Sequence, residues 1–285
     1  MAKGNLLLGT AKNSVGDVVM YRREGAQITR VRVRNVKNPK TDAQSFQRAI
    51  MAPIARFYSP LSVVLERSFE GLSKAKSHNK FNQVNANLAR KNKWALPKGT
   101  GFFPLPYQLS QGTLPTVYVA QDLENFNFLN TNPHEGAAAT TVGQLSADFV
   151  ATGYKVGDVV TIIGAVKNND SATYFPISIQ FEIDTESTTT LLSLKKSGVE
   201  IVGEDGEPWR LTHEHNMLCA AAIIVSRFDG NMWRRSTQSL VAREAIVTEV
   251  TSNAAVAAAI ASYGQTAGDG NPLVYLDGDE LADGE

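Results

Sequence analysis

Residues 217–240 read MLCAAAIIVSRFDGNMWRRSTQSL. Met217 to Phe228 is a near-continuous apolar run, and Met232 to Leu240 follows after Asp229-Gly230-Asn231. Asp-Gly between two such runs is a strong hairpin signal. A strand without polar alternation has no wet face, so this stretch predicts the central buried hairpin of a β-rich domain. Three successive small residues, Ala220, Ala221 and Ala222, predict that something packs closely there, and Trp209 and Trp233 are expected in the same core.

Upstream, strands are expected at Thr116–Ala120, Phe126–Leu129, Gln144–Val150, Val159–Val166, Tyr174–Ile183, Thr190–Ser193 and Val199–Val202, each bounded by turn residues. In the fifth of these, Ile177, Ile179, Phe181 and Ile183 alternate with Ser178, Gln180 and Glu182, which describes a sheet with one wet face. Short strands at this spacing suggest a sandwich or barrel. Downstream, Glu244–Val250 reads as a last strand. Ser252-Asn253 can cap an alanine-rich helix from Ala254 to Tyr263, and residues 264–285 form an acidic stretch without Lys or Arg, expected to be a flexible tail.

Before residue 100 the pattern is different. Asp17 to Arg34, DVVMYRREGAQITRVRVR, reads as a β-hairpin turning at Gly25. The period of two puts Ile28, Arg30, Arg32 and Arg34 on one face of the second strand, with guanidinium groups about 7 Å apart. Thr41 is a helix N-cap with Gln44 in the capping-box position. Phe46, Ile50, Ile54, Phe57, Leu61, Val64 and Leu65 continue a helical stripe, which Pro53 and Pro60 kink or divide, the first helix ending near Ala52. Gly71 reads as a stop, and Asn79–Lys91 as an amphipathic helix carrying Phe81, Val84 and Leu88. The stretch 96–115 is rich in Pro and Gly. The expected fold class is therefore α+β: an N-terminal β-hairpin plus helices, followed by a mainly antiparallel β sandwich or barrel. The expected organisation is a basic hairpin and helical region over 1–95, a linker over 96–115, a β-rich domain over 116–251, and a short helix with an acidic tail over 252–285.

The 285 residues carry a formal net charge of zero, but its distribution is uneven. Residues 1–100 hold 19 Lys and Arg against 5 Asp and Glu, and the remainder 9 against 23. Such asymmetry implies a polyanionic partner for the first part, or basic-to-acidic packing between subunits. Arg22, Arg23, Arg30, Arg32, Arg34, Lys37 and Lys40 fall within 19 residues interrupted by one acid, Glu24. Guanidinium groups favour phosphate through bidentate hydrogen bonds, so these seven are the candidate nucleic-acid-binding residues, with Tyr21 able to stack on an unpaired base. A solvated face whose charge discourages edge aggregation is the competing reading.

No catalytic motif of similar quality occurs. GxSxG, P-loop, HExxH and GxGxxG in strand-to-helix context are absent, and no enzyme, cofactor or metal is expected. His213 and His215, with Glu214 between them and Cys219 nearby, have ligand-like residue types, but no further ligands stand at a recognisable spacing. The lone Cys219 excludes a disulfide framework and reads as a small buried hydrophobe. The three leucines of MAKGNLLLG are too short for a signal peptide, and no run approaches the roughly 20 apolar residues of a membrane helix, so an intracellular origin and no membrane partner are expected.

Two stretches resemble an uncharacterised family of proteins from gut and related bacteria and their phages. Its VGxVxxYR strand, Gly turn, Arg-bearing strand and NPxTxxQxxxR element are matched by Val15-Gly16, Tyr21-Arg22, Gly25, Arg30, Asn38-Pro39, Thr41, Gln44 and Arg48. Its C-terminal hairpin is matched by Ser226-Arg227, Gly230, Trp233 and Arg235-Ser236. The NPxTxxQxxxR element is also similar to that of short phage virion and head-to-tail proteins. The resemblance implies a structural role and no known chemistry. Together these readings predict a non-enzymatic, self-assembling homo-oligomer, a phage virion or capsid component. It would assemble in the host cytoplasm, with its basic N-terminal region on single- or double-stranded nucleic acid or on a neighbouring subunit. The alternative is a small nucleic-acid-binding module of bacterial origin outside any particle.

Overall fold

The computed structural model describes residues 2–3, 13–15, 18–23, 26–32, 41–92, 94–96, 98, 101–102, 105–122, 125–168, 173–213, 217–244 and 253–263. The chain is α+β and divides into two compact units, Met1–Pro39 and Lys40–Glu285. The first is an antiparallel sheet of β1 (Ala2–Lys3), β2 (Asn13–Val15), β3 (Val18–Arg23) and β4 (Ala26–Val31), in the order β1-β4-β3-β2.

The second unit begins with α1 (Asp42–Tyr58), a 3-10 turn at Ser59–Leu61, the short α2 (Ser62–Leu65) and α3 (Lys74–Lys91). There follow β5 (Gln108–Ser110), β6 (Val119–Asp122), β7 (Asn125–Phe128), α4 (Val142–Ala151), β8 (Val159–Lys167), β9 (Tyr174–Glu182), β10 (Val199–Val202) and β11 (Trp209–His213). The chain continues through β12 (Met217–Phe228), β13 (Trp233–Arg235), β14 (Gln238–Ser239), β15 (Val241–Ala242) and α5 (Asn253–Tyr263).

β12 is central, as its composition requires. It pairs with β8, β13 and β15 in a five-stranded antiparallel sheet whose outer strand is β9. Its two faces enter different cores. Ala220, Ala222 and Ile224 join Ile163 and Ala165 beneath a helical layer of Ile50, Ile54 and Phe57 from α1, Phe81 from α3, and Val256 and Ile260 from α5. Leu218, Ala221, Ile223 and Val225 join Trp209, Phe126, Phe128 and Phe149 in a second core shared with α4 and the antiparallel sheet β10-β11-β7-β6. A bulge between Leu218 and Ala220 absorbs the fully buried Cys219 and sets this alternation. In β9, Ile177, Ile179 and Phe181 are buried while Gln180 and Glu182 are exposed, as the alternation requires.

The first helix does not stop at Ala52. Pro53 lacks the N–H that would bond the Ala49 carbonyl, and the Leu96 N–H takes that acceptor instead at 3.2 Å, so α1 runs on to Tyr58. The N-cap is as expected, Thr41 Oγ1 accepting from the Gln44 N–H at 3.4 Å. α3 begins at Lys74, one turn earlier than its apolar pattern suggests, with Ser73 as N-cap. Residues 144–150 are helical, not a strand. Thr141 and Gln144 form a capping box that starts α4, and Val142, Leu145 and Phe149 then bury one helical face. Leu191–Leu194 is a 3-10 turn where a strand was expected.

The stretch 96–115, expected as a linker, lies inside this second unit. Leu96, Phe102, Leu105, Tyr107 and Leu109 are buried in the helical core, and β5 pairs with β14. The expected strand Glu244–Val250 and the acidic tail lie outside the described residues, apart from Glu244.

Trp209 is fully buried, whereas Trp233 is half-buried beside an exposed Phe228, because the second run after Asp229 breaks into β13 and β14. Trp209→Ala should therefore cost about 3 to 5 kcal/mol, and Trp233→Ala only about 1 kcal/mol. Chemical denaturation of both variants checks this ordering, and equal losses would contradict it.

Candidate nucleic-acid interface

The basic hairpin forms where expected, with β3 and β4 paired from Val18↔Val31 to Arg23↔Ala26. Arg22 and Arg23 stand opposite Gln27 and Ala26. Arg32 follows the end of β4. Arg30 and Arg32 are exposed, and Val31 between them is 74% exposed. Arg34, Lys37 and Lys40 lie outside the described residues, as does the turn residue Gly25, so the proposed row of three arginines is described as far as Arg32. The pairs Val19↔Arg30 and Tyr21↔Ile28 make Arg30 diagonal to Tyr21, and its guanidinium carbon sits 5.7 Å from the ring centroid. The ring proposed for base stacking is thus already paired with a cation.

Among the described residues no group of three His, Cys, Asp or Glu side chains is placed to hold a metal. His213 ends β11, while Glu214 and His215 are outside the described residues. The arrangement most like catalytic machinery is one that sequence reading passed over. Buried His134 places Nδ1 2.9 Å from Asp148 Oδ2 and Nε2 3.1 Å from the Ala137 carbonyl, and Asp148 Oδ2 also accepts from Trp209 Nε1 at 2.8 Å. Both ring nitrogens are turned toward acceptors inside the fold, so the imidazole is tied down at both ends. The cluster fastens the turn around Gly206 to α4, since the His134 carbonyl accepts from the Gly206 N–H at 2.7 Å. Only the fold brings these three residues together, from positions 61 residues apart for Asp148 and Trp209.

The polar residues of the 217–240 hairpin also serve as fasteners. Arg227 grips buried Asp158 with two bonds of 2.6 Å, and Asp158 accepts a third from the Lys155 N–H. Hydrogen bonding to Asp158 holds the Arg227 guanidinium above its ordinary pKa. Ser236 Oγ accepts from the Val225 N–H, and Gly230 takes φ +88° in the turn, a conformation that favours glycine. Glu70 ties this hairpin to the chain near α3. It accepts from the backbone N–H and hydroxyl of Thr113 and from the Arg235 N–H. Desolvation pushes its pKa up, but the Thr113 and Arg235 backbone bonds outweigh this and leave it below the ordinary carboxylate value.

With this geometry in view, similarity to known proteins falls on one part of the chain. Residues 9–111 match a family of unknown function (DUF6266). No curated protein and no solved structure matches the chain. The matched stretch contains β3, β4, α1, α3 and β5, and thus takes in much of the residues expected as a linker. It ends at Gln111, whose bridge to Phe69 closes the loop before α3. The hairpin at 217–240 lies beyond the match, yet Glu70 and the Arg67 carbonyl, 3.4 Å from Arg235 Nε, join the two stretches in space.

Two outcomes follow for stability. Arg227→Met leaves Asp158 buried without its partner and should cost about 3 kcal/mol or more in a denaturant titration. Glu70→Gln should cost about 1 kcal/mol at neutral pH. Since the folded carboxyl has the lower pKa, its contribution is present above the unfolded value and lost as pH falls through the folded one, so wild type and variant should converge in acid. A difference that persists unchanged at low pH would exclude this role.

Proposed function

We propose that this chain is a non-enzymatic, self-assembling structural protein, a phage virion or capsid component, whose basic N-terminal unit contacts nucleic acid or a neighbouring subunit. The observation that supports this reading is the character of the Met1–Pro39 unit. Among its described side chains only Met20 is buried, while Val18, Val19, Tyr21 and Ile28 are half-buried and Arg30, Val31 and Arg32 are exposed. A four-stranded sheet of fewer than 40 residues is below the size at which a chain supplies its own core, and gains stability by lying on another surface. Its charge makes an anionic surface the favoured one. The uncharacterised family and the phage-like NPxTxxQxxxR element, Asn38 to Arg48, favour assembly in a host cytoplasm and a place in the particle. No helix of the described residues is long and apolar enough to cross a membrane.

The alternative, a nucleic-acid-binding module outside any particle, is favoured by the exposure of Arg30 and Arg32. A variant carrying Arg30→Gln, Arg32→Gln and Arg34→Gln separates the two. If the arginines bind phosphate without reading sequence, its log-log salt slope for random single-stranded DNA should drop by about 2, at roughly 0.7 per neutralised phosphate. Light scattering of wild type should show a large species at low salt. A monomer under those conditions contradicts assembly. Retained DNA affinity with loss of the large species assigns the arginines to a neighbour's carboxylates.

A further inference from the structure

Beside the loop that leads into α3, the β12–β13 turn encloses a groove of about 620 Å³. Its apolar wall is formed by Leu72, Phe228, Met232 and Trp233, with Phe228 55% and Met232 44% exposed. Arg67 and Lys74 line its other side. These two cations share one carboxylate, Glu66, at 4.0 and 2.6 Å. At the groove's edge the Arg235 guanidinium stacks on Trp233 at 5.4 Å and donates Nε–H to the Arg67 carbonyl, with no carboxylate partner of its own among the described residues. Burial, reinforced by the nearby positive charge of Arg67, lowers its pKa to about 10. The site therefore combines an apolar wall with an excess of positive charge, and calls for an occupant that is apolar and anionic together.

The chain contains such a segment. Residues 273–283, LVYLDGDELAD, follow four apolar residues with Asp277, Asp279 and Glu280, and no basic residue occurs after Arg243. The reach is sufficient. Lys98 N–H donates to Ser262 Oγ at 2.8 Å, which places the end of α5 near the residues that follow α3, and Arg90 to Gln47 and Tyr58 to His78 show α1 and α3 lying antiparallel. The groove is at the opposite end of α3, about 27 Å away for 18 residues. Ten residues from Tyr263 to Leu273 span about 33 Å when extended. We propose that the groove between the α3 entry loop and the β12–β13 turn is the docking site for the C-terminal segment Leu273–Asp283 of the same chain, with the apolar residues on Phe228 and Met232 and the carboxylates on Arg67, Lys74 and Arg235. Tethering raises the local concentration of this segment into the millimolar range, which favours it over a free partner. Nucleic acid suits the groove less well, because Arg235 already covers Trp233 and the Phe228 ring is tilted by 46° to it, leaving no parallel pair of free faces for a base.

Zero-length carbodiimide cross-linking of the full chain tests this, using an equal mixture of isotope-labelled and unlabelled protein. The expected product joins Lys74 to Asp277, Asp279 or Glu280 within one isotopic species, and is lost in Met232→Asp, an exposed turn position. Asp277→Asn with Asp279→Asn and Glu280→Gln in the full chain should remove the same product. Links between isotopic species would assign the groove to a second copy and overturn docking within one chain. Absence of the link in wild type would overturn it as well, and concurrent protection of Lys74 from modification by a random oligonucleotide would assign the groove to nucleic acid.

Discussion

The second unit depends on one strand being buried on both faces from Leu218 to Ser226. β12 carries Ala220, Ala222 and Ile224 into the helical core and Leu218, Ala221, Ile223 and Val225 into the core beneath the second sheet. Each side chain removed from water on either side contributes at roughly 25 cal/mol per Å² of apolar area, so the strand is stabilised from two directions at once. Small residues are needed where the neighbours come close. At Gly164 of β8, a Cβ would stand 3.0 Å from Ile177 and 3.1 Å from Leu218, tighter than ordinary packing. The bulge at Cys219 keeps both rows in register, because without the extra residue every side chain beyond it would change faces.

Polar groups then fix what the two cores leave free. Arg227 with Asp158 anchors the end of β12 to the start of β8, and Glu70 anchors β13 to the segment near α3. In the hairpin, Arg227 and Ser236 serve as fasteners and Gly230 serves the turn. His134 is a fastener as well, its two ring nitrogens facing Asp148 and the Ala137 carbonyl. Among the described residues, exposed surfaces include Arg30 and Arg32 at the end of β4 and the apolar groove beside the β12–β13 turn.

Much of this was legible from local patterns. The unbroken apolar run of β12, the alternation in β9 and the N-cap at Thr41 each arise from interactions within a few residues or from one face of one element. The readings that failed involve partners distant in sequence or two local signals in conflict. Residues 144–150 have enough apolar character for a strand, but the Thr141–Gln144 box caps a helix there, and Val142, Leu145 and Phe149 bury its one face. α1 passes through Pro53 because Leu96, 43 residues later, satisfies the carbonyl that proline leaves unpaired. Residues 96–115 have the composition of a linker, and only the fold shows that Leu105, Tyr107 and Leu109 are core. The seven basic residues were visible as a cluster.

Hydrogen exchange of backbone amides tests the account of a shared strand most directly. If β12 belongs to both cores, the amides of Ala220 to Val225 should exchange only through global unfolding, and those of Ile54 and Phe57 in α1 should become unprotected together with Phe126 and Phe128 of β7 as denaturant is added. Opening of the helical layer at low denaturant, with β7, β8 and β12 still fully protected, would contradict it.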